Sequence, residues 1–199
     1  MCKAGVSLIV VVKLGLHQYS ADQLRLLTIL ANQAAVSIAN ARLIERLAAS
    51  AATDPLTGLS NRRAFEAQLK ERMKSSAPFS LLMLDVDDLK QVNDARGHGA
   101  GDGVLRRVAQ VLRENVREND RVTRWGGDEF IVLMPEVDRV GALSLARRIT
   151  GTLMQSVAPE GPISVSIGLA AFPTDGDTAD ILLAAADRSM YVDKRQRAA

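Results

Sequence analysis

Residues Arg124–Phe130 read RWGGDEF. Arg121–Trp125 leads in with strand character, and Phe130–Met134 (FIVLM) follows as an unbroken apolar run. Two strands joined this closely need a tight turn. Gly126-Gly127 offers one, because glycine tolerates positive φ and its missing Cβ lets another group approach the backbone. The two carboxylates that follow, Asp128 and Glu129, then stand beside the tip. Taken alone, such a turn is a solvated loop with two acids.

A second stretch changes that reading. Phe79–Leu84 (FSLLML) is a buried-strand pattern that runs straight into Asp85-Val86-Asp87-Asp88. This places acids at a sheet edge beside the mouth of the fold, where they repel one another unless a cation neutralises them. Asp87 or Asp88 can be explained as the N-cap of a helix beginning near Asp87. Asp85 cannot, since it still belongs to the strand. If the hairpin pairs beside this strand, Asp85 and Asp128 converge. Two carboxylates and a backbone carbonyl are hard oxygen ligands of the kind Mg²⁺ takes. The helix start at Asp88-Leu89-Lys90 adds free amides and an ammonium suited to phosphate. Acids beside a phosphate site make electrostatic sense with a bridging metal, the combination used in phosphoryl or nucleotidyl transfer.

Composition is compatible with this. In 199 residues, 47% are apolar, enough for a real core, and the net charge is +2. Only 4% are aromatic, which leaves few stacking platforms for single-stranded nucleic acid, and no nucleic-acid partner is expected. Cys2 is the one cysteine, so an intrachain disulfide and a Cys-based zinc site are excluded. A reducing cytoplasm is the expected location. The longest apolar run, Val6–Leu16, is interrupted by Lys13 and falls short of the ~18–20 residues of a membrane span. No A-x-A-like cleavage site marks a signal peptide, and no membrane contact is expected of this stretch of chain, although the parent protein could carry membrane segments upstream.

Two parts are expected. In residues 1–52, a strand at Val6–Val12 is followed by a long helix opened by Ser20 and Gln23 as a capping box. Leu24, Leu27, Ala31, Ala34, Ile38 and Ala41 recur at spacings of three and four, either a coiled-coil seam or the packed face of a lone helix. One strand and one helix close no core, so this part reads as the end of a larger domain, and it resembles the last strand and exit helix of a GAF sensor domain. Residues 53–199 form the second part. After the turn-rich TDPLTGLSN (53–61) come helix 62–75, strand 79–84, a short helix, a Gly-rich turn 96–101, helix 102–116, the hairpin, helix 139–155, strand 163–171 and helix 178–193. This order predicts an α/β fold, an α+β sandwich with one sheet covered by helices.

Five ordered stretches then carry a specific resemblance: DPLTGLSNRRAF (54–65), LDVDDLKQVNDARGHGAGD (84–102), RWGGDEF, VSIGLA (165–170) and ADRSMYVDK (186–194). Together they resemble the GGDEF-domain diguanylate cyclases. The resemblance implies a palm-like nucleotide-cyclase fold with a ferredoxin-like core. It implies condensation of two GTP into cyclic di-GMP in an antiparallel homodimer. By position it implies that Asp85, Asp128 and the Val86 carbonyl hold Mg²⁺, with Mn²⁺ as an alternative. Asp128 would help activate the attacking hydroxyl, and Glu129 belongs to the signature with a less defined role. Asn93 and Asp102 would read guanine, consistent with a carboxylate accepting from guanine N–H groups. Read without the family, these two are helix caps. Gly97, Gly99 and Gly101 would keep the loop between them near the base, and His98 has no assigned chemistry. Leu89 stands where Phe is commoner. Lys194 matches a triphosphate contact, but the chain then runs DKRQR where the family has A-K-x-x-G-R, leaving Arg197 as a displaced substitute or as part of a basic terminus.

Arg117–Asp120 is an R-x-x-D with five residues between Asp120 and Gly126. That spacing matches the family's inhibitory product site, and Arg148 falls where some members supply another arginine from a different face. In isolation R-x-x-D is a surface ion pair. Two other outcomes stay open from the sequence: a catalytically weak or inactive receptor for cyclic di-GMP or GTP, and an enzyme joining other nucleotides.

Overall fold

The computed structural model describes residues 19–50, 52–156, 159 and 161–197. The strand expected at Val6–Val12, and Cys2, lie outside the described residues. The chain divides into two units, 1–51 and 52–199.

In the first unit, α1 runs Ala21–Ser50. Ser20 and Gln23 form the expected capping box, each side chain accepting from the other's amide at 3.2 and 3.1 Å. Leu24, Leu26, Ile29, Leu30, Val36, Leu43 and Ile44 are exposed along it. Ala21–Ile44 is long and apolar enough to cross a membrane by length and composition alone, with a mean hydropathy of 1.2. Asp22, Arg25 and Arg42 interrupt it.

The second unit holds a five-stranded mixed sheet in the order β1-β3-β4-β2-β5. Its strands are β1 (Ser60–Asn61), β2 (Phe79–Val86), β3 (Arg121–Gly126), β4 (Glu129–Pro135) and β5 (Val165–Phe172). The helices are α2 (Arg62–Lys74), α3 (Leu89–Arg96), α4 (His98–Asn115), α5 (Arg139–Met154) and α6 (Ala179–Arg197). From β2 to β5 the chain follows β-α-β-β-α-β, with neighbouring strands antiparallel, which is the ferredoxin-like arrangement. The two-residue β1 pairs parallel with β3 and was not anticipated: TDPLTGLSN looked like turn throughout.

Strand alternation divides the core. Leu82, Leu84 and Val86 of β2, with Phe130, Val132 and Met134 of β4, pack against α4 and α5. Phe79, Leu81 and Met83, with Ile131 and Leu133, pack against Phe65 and Leu69 of α2 and Leu182, Ala186 and Met190 of α6. Helix α2 starts where the Asn61 side chain accepts from the Ala64 amide. Helix α6 lies so close to β5 that a Cβ on Gly168 would stand 2.0 Å from the Ala186 carbonyl oxygen. That contact sets the position of the C-terminal helix over the sheet.

Several local expectations are corrected. The second strand continues through Asp85 and Val86, so both lie within it, at the C-terminal end of a strand with neighbours on both sides rather than on an outer edge. Helix α3 begins at Leu89, within the expected start at Asp88-Leu89-Lys90 and two residues after Asp87. The Gly-rich turn shrinks to Gly97 alone, at φ 80°, because α4 already starts at His98. Gly99 and Gly101 are therefore helical, and Asp102 is an interior helix residue, not an N-cap.

Candidate active site

Asp85 continues the odd-numbered positions of β2 and so faces α2 and α6; it is 9% exposed. The ladder pairs it with Glu129 on one side and Ser166 on the other. Glu129 faces the same way, since the next odd positions of β4, Ile131 and Leu133, belong to that core. From α6, the Lys194 ammonium donates to Asp85 Oδ1 at 2.6 Å. Burial pushes the Asp85 carboxyl up; Lys194 opposes this, and Asp128 and Asp87 add to it. Burial likewise raises Glu129, helped by the negative charges of Asp85, Asp128 and Asp187, with Arg62 opposing. The hydrogen bond to Asp85 raises Lys194, against its own partial burial. These groups are electrostatically one cluster.

Asp128 occupies the turn after Gly127. Its carbonyl accepts from the Val86 amide at 3.1 Å, folding the tip over the end of β2. A strand residue's N–H and C=O point to the same side, so the Val86 carbonyl faces the tip as well. The glycines act differently than expected: neither Gly126 nor Gly127 has positive φ. A Cβ on Gly127 would meet nothing within 4 Å, and one on Gly126 would come 3.3 Å from Glu129 Oε2. Their value here is open space beside the acids. Arg124 fixes the tip from below, donating to the Gly127 carbonyl at 2.7 and 3.2 Å and to both Asp54 carboxylate oxygens at 3.2 Å. Trp125 packs edge-on against Phe65 at 5.6 Å between ring centroids, and the Arg62 guanidinium lies over the Trp125 ring, 4.2 Å from its centroid.

Neither acid expected to cap α3 does so with its side chain. Asp87 accepts from the hydroxyls of Ser164 and Ser166 at 2.6 and 2.7 Å, which ties it to β5. Asp88 adopts φ 56° and accepts from the Gln91 side chain instead. The first amides of α3 are left without a side-chain cap. Leu89 is buried beneath them and Lys90 is exposed. Asn93 and Asp102 are brought together where α3 crosses α4. A Cβ on Gly101 would lie 2.1 Å from Asn93 Oδ1, so glycine at this position makes room for the Asn93 amide beside Asp102. Asn93 sits inside α3 and is not its C-cap. Asp102 is half exposed, with Arg106 at 3.9 Å.

Arg197 behaves differently from Lys194. Arg197 bonds Asp193 at 3.0 Å and lines a recess with Leu143, Arg147 and Ile167, away from Asp85. Arg117, Asp120 and Arg148 do come together, lining one recess of about 150 Å³ with Asn115. Asp120 is buried and accepts from the Arg117 amide at 2.8 Å. Arg148 donates to Asn115 Oδ1 at 3.0 Å. Arg148 thus shares the face of Arg117 and Asp120, which corrects the expectation of a different face.

Among the described residues, no three His, Cys, Asp or Glu side chains are grouped to hold a metal ion. The expected set, two carboxylates and one carbonyl, is smaller than that. Sequence reasoning missed the Asp54–Arg124 pair, the seating of Asp87 on two serines, and Asp193, whose carboxylate also accepts from the Ile167 amide at 2.9 Å. Only the R-W-G-G order hinted that Arg124 underlies the tip.

The family described as "Diguanylate cyclase, GGDEF domain" matches residues 51–199. Response regulator PleD of Caulobacter vibrioides is 40% identical over 151 residues, covering 71% of this chain and 33% of PleD. Diguanylate cyclase TpbB of Pseudomonas aeruginosa is 38% identical over 159 residues, covering 75% of this chain and 37% of TpbB. Among solved structures, the coiled coil and GGDEF domain of DgcB from Caulobacter crescentus, in complex with c-di-GMP, superposes with a TM-score of 0.67 at 27% identity, covering 86% of this chain and 95% of that one. A mixed sheet with an acid cluster at the end of β2 defines the class, and the chain belongs to the GGDEF diguanylate cyclase family. It spans about a third of the length of these curated relatives.

Proposed function

We propose that this chain condenses two GTP into cyclic di-GMP with release of two pyrophosphates, as an antiparallel homodimer. The observation that carries this is the cross-strand pairing of Asp85 with Glu129, with Asp128 folded over Val86 at the same end of the sheet. The donor set suits a hard divalent cation: Asp85, Asp128 and the Val86 carbonyl offer oxygens only. Mg²⁺ is the expected ion and Mn²⁺ would satisfy the same donors. A bound divalent cation would neutralise the triphosphate and acidify the attacking hydroxyl.

The chain's own residues do the rest. Asp102 accepts from the guanine N–H groups and the Asn93 amide both donates and accepts, which fixes the base between α3 and α4. The uncapped amides at Asp88, Leu89 and Lys90, with the Lys90 and Lys194 ammoniums, hold phosphate. Arg197 is a weaker candidate because Asp193 engages it. Asp128 orients the 3′-hydroxyl and helps remove its proton as that oxygen attacks the α-phosphorus of the other nucleotide and pyrophosphate leaves. One domain carries one half-site, so two must face each other across a twofold axis.

Helix α1 supplies a reason for pairing. Its apolar residues are exposed among the described residues, and a second copy of the helix would bury them. The preceding segment is proposed to be the end of a GAF-like sensor that biases dimer geometry, in the cytoplasm. Arg117, Asp120 and Arg148 form a proposed product-binding site, with guanidiniums for phosphate and guanine and a buried carboxylate for guanine N–H groups.

The test is chromatography of nucleotides after incubation with GTP and Mg²⁺, repeated with ATP and with Asp128→Ala. A dinucleotide formed from GTP alone and reduced by at least about a hundredfold in the variant supports the enzyme. Tight binding of cyclic di-GMP with no synthesis would instead make the chain a receptor.

A further inference from the structure

Taking Asp85 and Asp128 as the metal-binding pair proposed above, we propose that Lys194 is a tethered cation that occupies Asp85 in the nucleotide-free protein and is exchanged onto the triphosphate when metal and nucleotide arrive. Asp85 is the most enclosed acid of the cluster. Its side chain is 12% exposed, against 48% for Lys194. The ammonium therefore reaches from the solvent side onto a nearly buried carboxylate. Around Asp85, the charges of Asp87 and Asp128 are both of like sign. Lys194 is what neutralises it, at 2.6 Å from Oδ1.

A divalent ion ligated by Asp85 meets that ammonium at the same carboxylate. Two cations sharing one carboxylate repel, so the lysine opposes metal entry for as long as it stays. Release requires no backbone movement. Helix α6 is pinned to β5 at Gly168, while the long Lys194 side chain is free to rotate on its own stem. The recess it lines with Asp187, Arg188 and Tyr191 measures about 470 Å³ and opens beside the acids. A triphosphate held at the first amides of α3 would draw the ammonium off Asp85 and remove the obstacle to the metal. Metal and nucleotide then bind cooperatively, with Lys194 carrying part of the coupling, and the coupling is reciprocal.

The test measures Mn²⁺ binding to the protein by electron paramagnetic resonance, without nucleotide and with GTP held by a non-hydrolysable analogue, for wild type, Lys194→Met, Lys194→Arg and Asp128→Ala. The melting transition of each variant is recorded first, and Lys194→Gln serves as a second neutral variant. The expected result is nucleotide-free Mn²⁺ affinity about two- to tenfold higher in Lys194→Met and Lys194→Gln than in wild type, the range an ion pair half open to solvent allows. Lys194→Arg should stay near wild type. The factor by which the analogue tightens Mn²⁺ should shrink in both neutral variants. Unchanged or weaker nucleotide-free affinity in those variants overturns the exchange. An Asp128→Ala protein that binds Mn²⁺ as wild type does overturns the metal assignment itself, a separate failure that is read from a different variant.

Discussion

Glu129 stands directly opposite Asp85 in the β2–β4 ladder, and strand alternation sends both side chains to the face covered by α2 and α6. Like charges placed directly opposite on neighbouring strands destabilise a sheet. Burial and the charges of Asp85, Asp128 and Asp187 all push the Glu129 carboxyl up. A cation bound beside these acids would relieve their repulsion. Glu129→Gln preserves shape and removes one charge. In chelator at neutral pH it should raise the melting temperature by about 1–2 °C, on the order of 0.5 kcal/mol for a half-buried group. With saturating Mg²⁺ the gain should disappear or reverse. Paired thermal melts with and without the ion check this, and a variant less stable than wild type in chelator would contradict it.

Gly101 tests the guanine contact without touching either proposed reader. An added methyl would stand 2.1 Å from Asn93 Oδ1 and 2.9 Å from its Cγ. The Asn93 side chain, half-buried at a helix crossing, must swing away. Gly101→Ala should therefore raise KM for GTP about tenfold, with a smaller change in kcat, since it removes a contact made in ground and transition state alike. Discrimination between GTP and ATP should fall with it. Steady-state kinetics with both nucleotides give the split, and an unchanged KM would remove Asn93 from base recognition.

The sheet and its order were readable because FSLLML and FIVLM are apolar runs of strand length, and because the alternation of helices and strands around one hairpin leaves few topologies. The pairing of that hairpin with β2, which sets Glu129 opposite Asp85 and the Asp128 carbonyl on the Val86 amide, was readable from the same runs. What could not be read was local backbone at the glycines and acids. HGAGD looked like a loop because glycine weakens helices, yet tertiary packing of Gly101 under Asn93 keeps it helical. Asp87 looked like a cap because aspartate favours caps, yet two serines distant in sequence, at and just before the start of β5, claimed it. Arg148 and Arg117 are brought to one recess by the packing of α5 against the sheet, which no spacing rule supplies.

Asp54 and Arg124 lie seventy residues apart and form a half-buried pair, with side chains 17% and 16% exposed. Through Arg124, the turn that opens the domain is joined to the Gly127 carbonyl at the hairpin tip. Burial alone would raise the Asp54 carboxyl, but the hydrogen bonds from the Thr57 hydroxyl and amide and from Arg124 outweigh it and hold the group below its ordinary range. A carboxyl depressed in the folded state stabilises above its unfolded pKa of 3.8, and that contribution is lost as pH falls through the folded value. Asp54→Asn should destabilise by about 1–2 kcal/mol at neutral pH, with the difference from wild type shrinking below about pH 3.8. A double-mutant cycle with Arg124→Ala should show coupling of about 1 kcal/mol. Urea melts across pH measure both, and additive effects would mean the pair does not anchor the tip.

Arg148 offers the sharpest separation of product binding from catalysis. It lines the recess of Arg117 and Asp120 while its guanidinium is held by Asn115 at the end of α4, remote in the fold from the Asp85 cluster. Asp120 is the poorer probe, because it is buried and holds the Arg117 amide, so its loss would disturb the turn itself. Arg148→Ala should leave the initial rate within about twofold, since the cut removes an exposed side chain. It should weaken cyclic di-GMP binding by about 10–100-fold, the range for losing a charge-assisted contact to phosphate. Progress curves would then stay linear where wild type slows as product accumulates. Product titration by calorimetry, with the acids of the cluster intact, reads the binding change directly. Equal affinity in variant and wild type would place inhibition elsewhere and leave R-x-x-D as a surface turn.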